Sequence, residues 1–271
     1  MQLPRVPKWI GWPLLGVWAY IVLAFFGRQA VFHPSKYPEG LWDMKDQWGA
    51  EDVWLEASDG VRIHGWMIPS RQVSRQVTLY LHGNAGNLTH RVDHIQALLE
   101  AGTALLIIDY RGYGKSDGEP TEEGCYRDTD AAYEYLLKEG YSAERIILYG
   151  ESLGTAMATD LASRRPTGGV ILEAPFPSAK AVAATVLPVL GPLVVSGLNA
   201  GEKISKVQAP VLVIHGTKDQ VINYELGRQV FEAATEPKQF WAVEGAQHSD
   251  IVYTAGPEYI SRLRAFYAKG L

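Results

Sequence analysis

The sequence holds a single cysteine, Cys125, in 271 residues, so no intrachain disulfide can staple the fold and core burial must hold it together. A nucleophilic role for that thiol finds little support, because no GxCxG-type turn surrounds it. Positive charge is also in short supply. The formal net charge is −5, and because Arg5, Lys8 and Arg28 precede any acidic residue, the rest of the chain is more acidic still. No Lys/Arg cluster of the kind that displaces counterions from phosphates follows Arg28, which excludes nucleic acid as a partner. Metal-ligand spacing is missing too. His90 and His94 stand four apart, but the intervening residues make HRVDH rather than HExxH, and no third ligand lies at a familiar distance. Neither a metal nor a cofactor is expected, and His90 and His94 read as solvated helix residues.

What is present begins with an uncharged run from Trp9 to Gly27, long enough as a helix to reach across roughly 30 Å of bilayer hydrocarbon. Trp9, Trp12, Trp18 and Tyr20 supply interfacial aromatics, Pro13 falls early in the run, and Arg5 and Lys8 precede it. Residues 1–28 therefore read as a single-pass signal anchor, a membrane partner for the rest of the chain. A cleaved signal peptide is the competing reading: Val22 and Ala24 offer a small-residue site, although no AxA follows. If the amino terminus stays cytoplasmic, the domain lies on the exported side, in a periplasm or lumen. The charge bias is slight, with Arg5 and Lys8 before the span against Arg28, Lys36 and Lys45 after it. Residues 29–50, with His33-Pro34 and Tyr37-Pro38, read as an extended linker.

A chain of 271 residues with 47% hydrophobic content suits one large domain, expected over residues 51 to 271. Two alternating runs, Asp52 to Ala57 and Val61 to Ile68, are joined by Ser58-Asp59-Gly60 as a hairpin. Apolar, β-branched runs then start at Val77, Ala104, Arg145, Gly169, Pro210 and Lys238, each followed by a helical pattern. The helices are expected over Thr89 to Ala101, Thr121 to Glu139, Leu153 to Ser163, Tyr224 to Ala234 and Pro257 to Lys269. This is an α/β chain with a mostly parallel twisted sheet of about eight strands and helices on both faces. Ligands of such sheets bind beyond the carboxyl ends of the strands.

The chemistry-bearing residues fall there. The run RIILY leads directly into Gly150-Glu151-Ser152-Leu153-Gly154 and then into a helical pattern, the context of a nucleophile elbow. A bare GxSxG string arises by chance in about one chain in ten of this length, so the strand–turn–helix context carries the assignment. A serine hydroxyl needs a neutral imidazole to accept its proton and a carboxylate to orient that imidazole. Asp219, in His215-Gly216-Thr217-Lys218-Asp219-Gln220, and His248, in Gly245-Ala246-Gln247-His248-Ser249-Asp250, each follow a strand. Glu173, at the end of GVILE, is the reserve acid. The Leu153 N–H opens a helix where the dipole favours negative charge. The loop His82-Gly83-Asn84-Ala85-Gly86-Asn87 offers a second donor, the Asn84 N–H. His82 reads as a structural loop residue, His215 as hydrogen-bonded core, and His33 and His64 lie far along the chain. Asp109, Arg111 and Ser116 tie loops together.

HGNAGN, IDYRGYGKSDG, YGESLG, IHGTKDQV and GAQHSD together resemble α/β-hydrolase-domain proteins of a membrane-anchored subgroup, from about residue 50 to the end. The resemblance implies an α/β-hydrolase fold, a Ser152–Asp219–His248 triad in that chain order, and an oxyanion hole from Asn84 and Leu153. The apolar run between Lys180 and Lys203 stands where that family often inserts a lid, near 177–205. Pro188, Gly191, Pro192 and Gly197 interrupt it, so a pocket cover or membrane-contacting helix is favoured over a second span. The expected activity is a serine esterase or thioesterase acting on acyl or lipid-like substrates. The alternatives are an amidase or peptidase with the same triad, and a silent membrane-tethered binding protein of the same fold.

Overall fold

The computed structural model describes residues 31–70 and 76–269. The expected anchor, residues 1–28, lies outside them. Among the described residues no helix is long and apolar enough to cross a membrane.

Eight strands form one sheet: β1 (Glu51–Glu56), β2 (Arg62–Ile68), β3 (Val77–Leu81), β4 (Ala104–Ile108), β5 (Ile146–Glu151), β6 (Gly169–Glu173), β7 (Val211–Gly216) and β8 (Lys238–Val243). Their spatial order is β8-β7-β6-β5-β3-β4-β2-β1. From β8 through β4 every pairing is parallel, whereas β4–β2 and β2–β1 are antiparallel. The hairpin and the six later strands thus fall where the apolar runs place them. Strands β3 to β7 are buried along their length save for Glu151, the half-buried last residue of β5, as expected of parallel strands covered on both faces.

The covering layers follow the period of two. On β3, Leu79 and Leu81 face a core shared with α2 (Glu122–Lys138) and α3 (Leu153–Ala162), through Tyr133, Leu136, Ala158 and Leu161. Tyr80 faces the opposite core, with Ile95 and Leu98 of α1 (Val92–Ala101) and Leu263 and Phe266 of α7 (Pro257–Lys269). Caps fix the helix starts: the Thr121 hydroxyl accepts from the Gly124 amide ahead of α2, a contact worth about 1 kcal/mol. Arg111, Asp109 and Ser116 have the structural roles expected of them. Arg111 bridges Asp59 and Asp128, Asp109 accepts the Leu88 amide, and the Ser116 hydroxyl donates to the Asp109 carbonyl.

The segment 31–50 differs from the extended linker read for 29–50. His33–Pro34 pairs in parallel with Ala85–Gly86, and the helical turn Lys45–Trp48 buries Trp48 against Trp66. Aromatic side chains separated along the chain by turns have no period to reveal that they dock. The lid region breaks into α4 (Ala179–Val186) and the short helical turns Gly191–Val194 and Ala200–Lys203. Two further helices complete the fold: α5 (Tyr224–Ala233) follows β7, and α6 (Ile251–Ala255) precedes α7.

Candidate active site

At the carboxyl end of β5 the chain reverses through Ser152, whose φ of 49° and ψ of −112° lie where side chains are strained. Both flanking glycines are required by close approach. A Cβ on Gly150 would stand 2.5 Å from the Gly154 carbonyl oxygen, and one on Gly154 would stand 1.8 Å from that of Leu81. The Ser152 amide donates to the Glu173 carbonyl at 2.8 Å, which ties the turn to β6 and leaves the hydroxyl outside the strand end.

The loop after β7 brings Asp219 to the same rim, and the loop after β8 brings His248. The imidazole sits 3.0 Å from the Ser152 Oγ through Nε2 and 2.7 Å from an Asp219 carboxylate oxygen through Nδ1. The other Asp219 oxygen accepts the Val221 and Ile222 amides, each at 2.8 Å. Burial opposes its charge, but hydrogen bonds from His215, His248 and that loop hold the carboxyl well below the usual carboxylate range. Burial is the largest single influence on His248 and pulls its pKa down, but the bond to Asp219, the Asp219 charge and the charges of Glu151 and Glu173 together carry it above 6.5. His215 is buried, with Nε2 at 3.0 Å from the Ile222 carbonyl and 3.4 Å from Asp219.

Asn84 and Leu153 line the same cavity as Ser152 and His248. The Asn84 side-chain oxygen accepts the Tyr113 hydroxyl at 3.0 Å and the His33 amide at 2.8 Å, so its peptide is held from the side. The cavity encloses about 580 Å³, within the range of small-molecule sites. One wall is apolar: Ala179, Val182 and Ala183, spaced as one face of α4, line it together with Phe176, Val195 and Leu198. The opposite wall is polar, from His90 to His94 at the start of α1.

The chain resembles known proteins in sequence and in fold. Residues 72–198 fit the profile of the serine aminopeptidase S33 hydrolase family. An uncharacterized protein of Mycobacterium tuberculosis is 37% identical over 219 residues, covering 79% of this chain and 78% of that protein. The human α/β-hydrolase domain-containing protein 17B is 32% identical over 247 residues, covering 90% and 84%. The chain belongs to the α/β-hydrolase superfamily. An esterase of Pyrococcus furiosus shares the fold, with a TM-score of 0.74 at 20% identity, over 88% of this chain and 98% of that one.

Two expectations about this α/β-hydrolase site need correction. Glu173, the reserve acid, does not reach His248. One of its oxygens lies 2.8 Å from His94 Nε2, and the other accepts the hydroxyls of Tyr149 and Tyr259 at 2.7 and 2.5 Å. His94, read as a solvated helix residue, is correspondingly mostly buried in the cavity wall, and Glu173 outweighs burial to raise its pKa. His90 is exposed as read, and its ring reaches back to Asn87.

Sequence reasoning passed over Glu151 and Arg91. Glu151 stands opposite Glu173 in the β5–β6 register, so two carboxylates project side by side at the strand ends. Each meets its own basic side chain, Arg91 at 2.7 Å and His94 at 2.8 Å, three residues apart at the start of α1. Burial works against the Glu151 charge, but Arg91, His94 and the Tyr80 hydroxyl hold its pKa down to about 2. Only the x of the GxSxG pattern could have hinted at Glu151; its partner lies 60 positions earlier and follows no period.

Proposed function

We propose that this chain is a serine hydrolase that cleaves carboxylic esters or thioesters of acyl or lipid-like compounds through an acyl-enzyme on Ser152. The observation that carries the reading is the His248 imidazole spanning the Ser152 hydroxyl at 3.0 Å and the Asp219 carboxylate at 2.7 Å. Ser152 Oγ attacks the substrate carbonyl carbon while its proton passes to His248 Nε2, and the Asp219 carboxylate, accepting a hydrogen bond from Nδ1–H, stabilises the imidazolium. The carbonyl oxygen becomes an oxyanion, received by the Asn84 and Leu153 N–H groups. Collapse expels the alcohol or thiol, which takes the proton from His248. Water, deprotonated by the same imidazole, then attacks the acyl carbon and releases the acid.

The apolar wall of the cavity supports an acyl chain as the group bound, and the esterases of this fold accord with ester chemistry. Outside the cavity the lid exposes Val186, Leu187, Val189, Leu190 and Leu193, a surface suited to lipid. Val31, where the described chain begins, also lines the cavity. In this reading the protein is a single-pass membrane protein with its hydrolase domain on the exported side.

The name of the matched profile favours one second reading, an aminopeptidase. Against it, Glu151, the half-buried carboxylate of the cavity wall, is committed to Arg91, and the other acid lining the cavity among the described residues, Asp93, is solvent-exposed, where it grips an ammonium weakly. Activity on p-nitrophenyl acyl esters, lost together with fluorophosphonate labelling in Ser152→Ala, is the expected result. Full ester turnover by Ser152→Ala, or turnover of aminoacyl anilides in preference to esters, overturns it.

A further inference from the structure

An oxyanion hole drawn from two separate loops works only if the loops hold a fixed distance. The Leu153 amide belongs to the elbow, whereas the Asn84 amide belongs to the loop after β3. Their spacing sets where the developing charge is met, and a misplacement of about 1 Å can cost on the order of 100-fold in rate.

The residues on either side of Asn84 are held by one ion pair that the hydrolytic cycle does not use. The Gly83 amide donates to Glu151 Oε2 at 3.2 Å, and the Tyr80 hydroxyl donates to the same oxygen at 2.6 Å. Arg91 approaches that oxygen through Nε at 2.7 Å. Its Nη2 donates to the Ala85 carbonyl at 2.7 Å and reaches the Gly83 carbonyl at 3.3 Å. The peptide groups before and after Asn84 are thereby tied to the residue that immediately precedes Ser152. The contact is close-packed: a Cβ on Gly83 would stand 2.8 Å from the Glu151 carboxylate and 3.5 Å from the Arg91 guanidinium. That explains glycine after His82 without reference to any substrate.

We propose that Glu151 and Arg91 are positioning residues that lock the Asn84 loop to the nucleophile elbow and so set the width of the oxyanion hole. The inference rests on the serine-hydrolase reading above. Arginine is needed because its planar fork meets a carboxylate and two carbonyls at once, which a lysine ammonium on a flexible stem cannot do with the same geometry.

The test measures ester kinetics, thermal unfolding and inhibition by a trifluoromethyl ketone. Ser152 adds to that ketone to leave a hemiketal oxyanion in the hole, with the serine proton on His248. The parent, Ser152→Ala, Arg91→Lys, Glu151→Gln and the double variant Arg91→Met/Glu151→Gln are compared. The double variant removes both charges and leaves none buried alone. It is expected to unfold within a few degrees of the parent, with kcat lowered about 10- to 100-fold and KM little changed. The ketone should weaken by the same factor as kcat/KM. Arg91→Lys should recover only part of the loss, whereas a role in neutralising Glu151 alone predicts full recovery. If the double variant fails to fold, Glu151→Gln, which keeps volume and an acceptor oxygen, carries the same readouts. Parent-like kcat and ketone inhibition in folded Glu151→Gln and double variants, beside an inactive Ser152→Ala, overturn the brace and spare the triad. Full turnover by Ser152→Ala overturns the hydrolytic reading itself.

Discussion

Of the carboxylate–imidazole pairs at the carboxyl edge of this sheet, two place their imidazoles in the lining of one cavity. Asp219 holds His248 at 2.7 Å, and Glu173 holds His94 at 2.8 Å. In both pairs burial lowers the imidazole pKa, and the partner carboxylate together with neighbouring carboxylates carries it to a net rise. They differ in what each ring does with its other nitrogen. His248 meets the Ser152 hydroxyl, whereas no hydroxyl or thiol side chain is hydrogen-bonded to His94 among the described residues. Their settings differ as well. Asp219 is oriented by backbone amides of its own loop, Glu173 by two tyrosine hydroxyls rooted in the core. A carboxylate beside an imidazole fixes charge and tautomer; the loop that carries the ring decides whether it becomes a base.

The sharpest way to break that comparison is to remove each imidazole. His248→Ala should lower kcat by about 10⁴-fold or more, while His94→Phe should leave kcat within about tenfold because it contacts no reacting atom. Similar losses on a short acyl ester would merge the two roles.

Exchanging the carboxylates comes next. Asp219→Asn should cost about 10⁴-fold in kcat with little change in unfolding temperature, since geometry persists while the tautomer is lost. Glu173→Gln should do the reverse, retaining turnover and losing about 1–3 kcal/mol in denaturant unfolding, because Tyr149, Tyr259 and His94 lose a buried charged acceptor.

Titration sharpens the contrast with a smaller effect. Catalysis needs neutral His248, so kcat/KM should rise with pH through a value above 6.5, about tenfold per unit on the acid side. The stability of the His94 pair runs the other way. A raised imidazole pKa contributes stability that is full below the unfolded value of about 6.5 and is lost as pH rises through the folded value. The gap in unfolding temperature between the parent and Glu173→Gln should therefore be widest near pH 6 and narrow toward pH 9. A gap that widens with pH would contradict the assignment.

The smallest effect is expected at the lid. Leu190→Ser and Val189→Ser remove exposed apolar groups and should leave short-ester kcat unchanged, while raising KM for long-chain esters in vesicles a few-fold. Equal changes on both substrates would detach the lid from substrate entry.

Much of this was legible along the chain. Five of the six runs from Val77 onward mark their strands because parallel strands buried on both faces carry unbroken apolar sequence. The sixth, edge strand β8, is only partly buried and shows instead through its aromatic and β-branched residues. Ser152, Asp219 and His248 could be named because each follows such a run directly. Glu173 follows one too, which is why it stood in reserve, and nothing local distinguishes it from Asp219. The docked segment 31–50 and the burial of His94 left no periodic trace.

The sequence by itself therefore determined the order of strands and helices, the strained turn at Ser152 and the inventory of groups at the strand ends. All of these depend on neighbours in the chain and on periods of two or 3.6 residues. Tertiary structure alone decided the pairings. Strand register set Glu151 beside Glu173, and one turn at the start of α1 gave each its own basic partner. Contacts between residues 60 to 100 positions apart depend on how layers pack, and packing distance is not written in the spacing of residues along a chain.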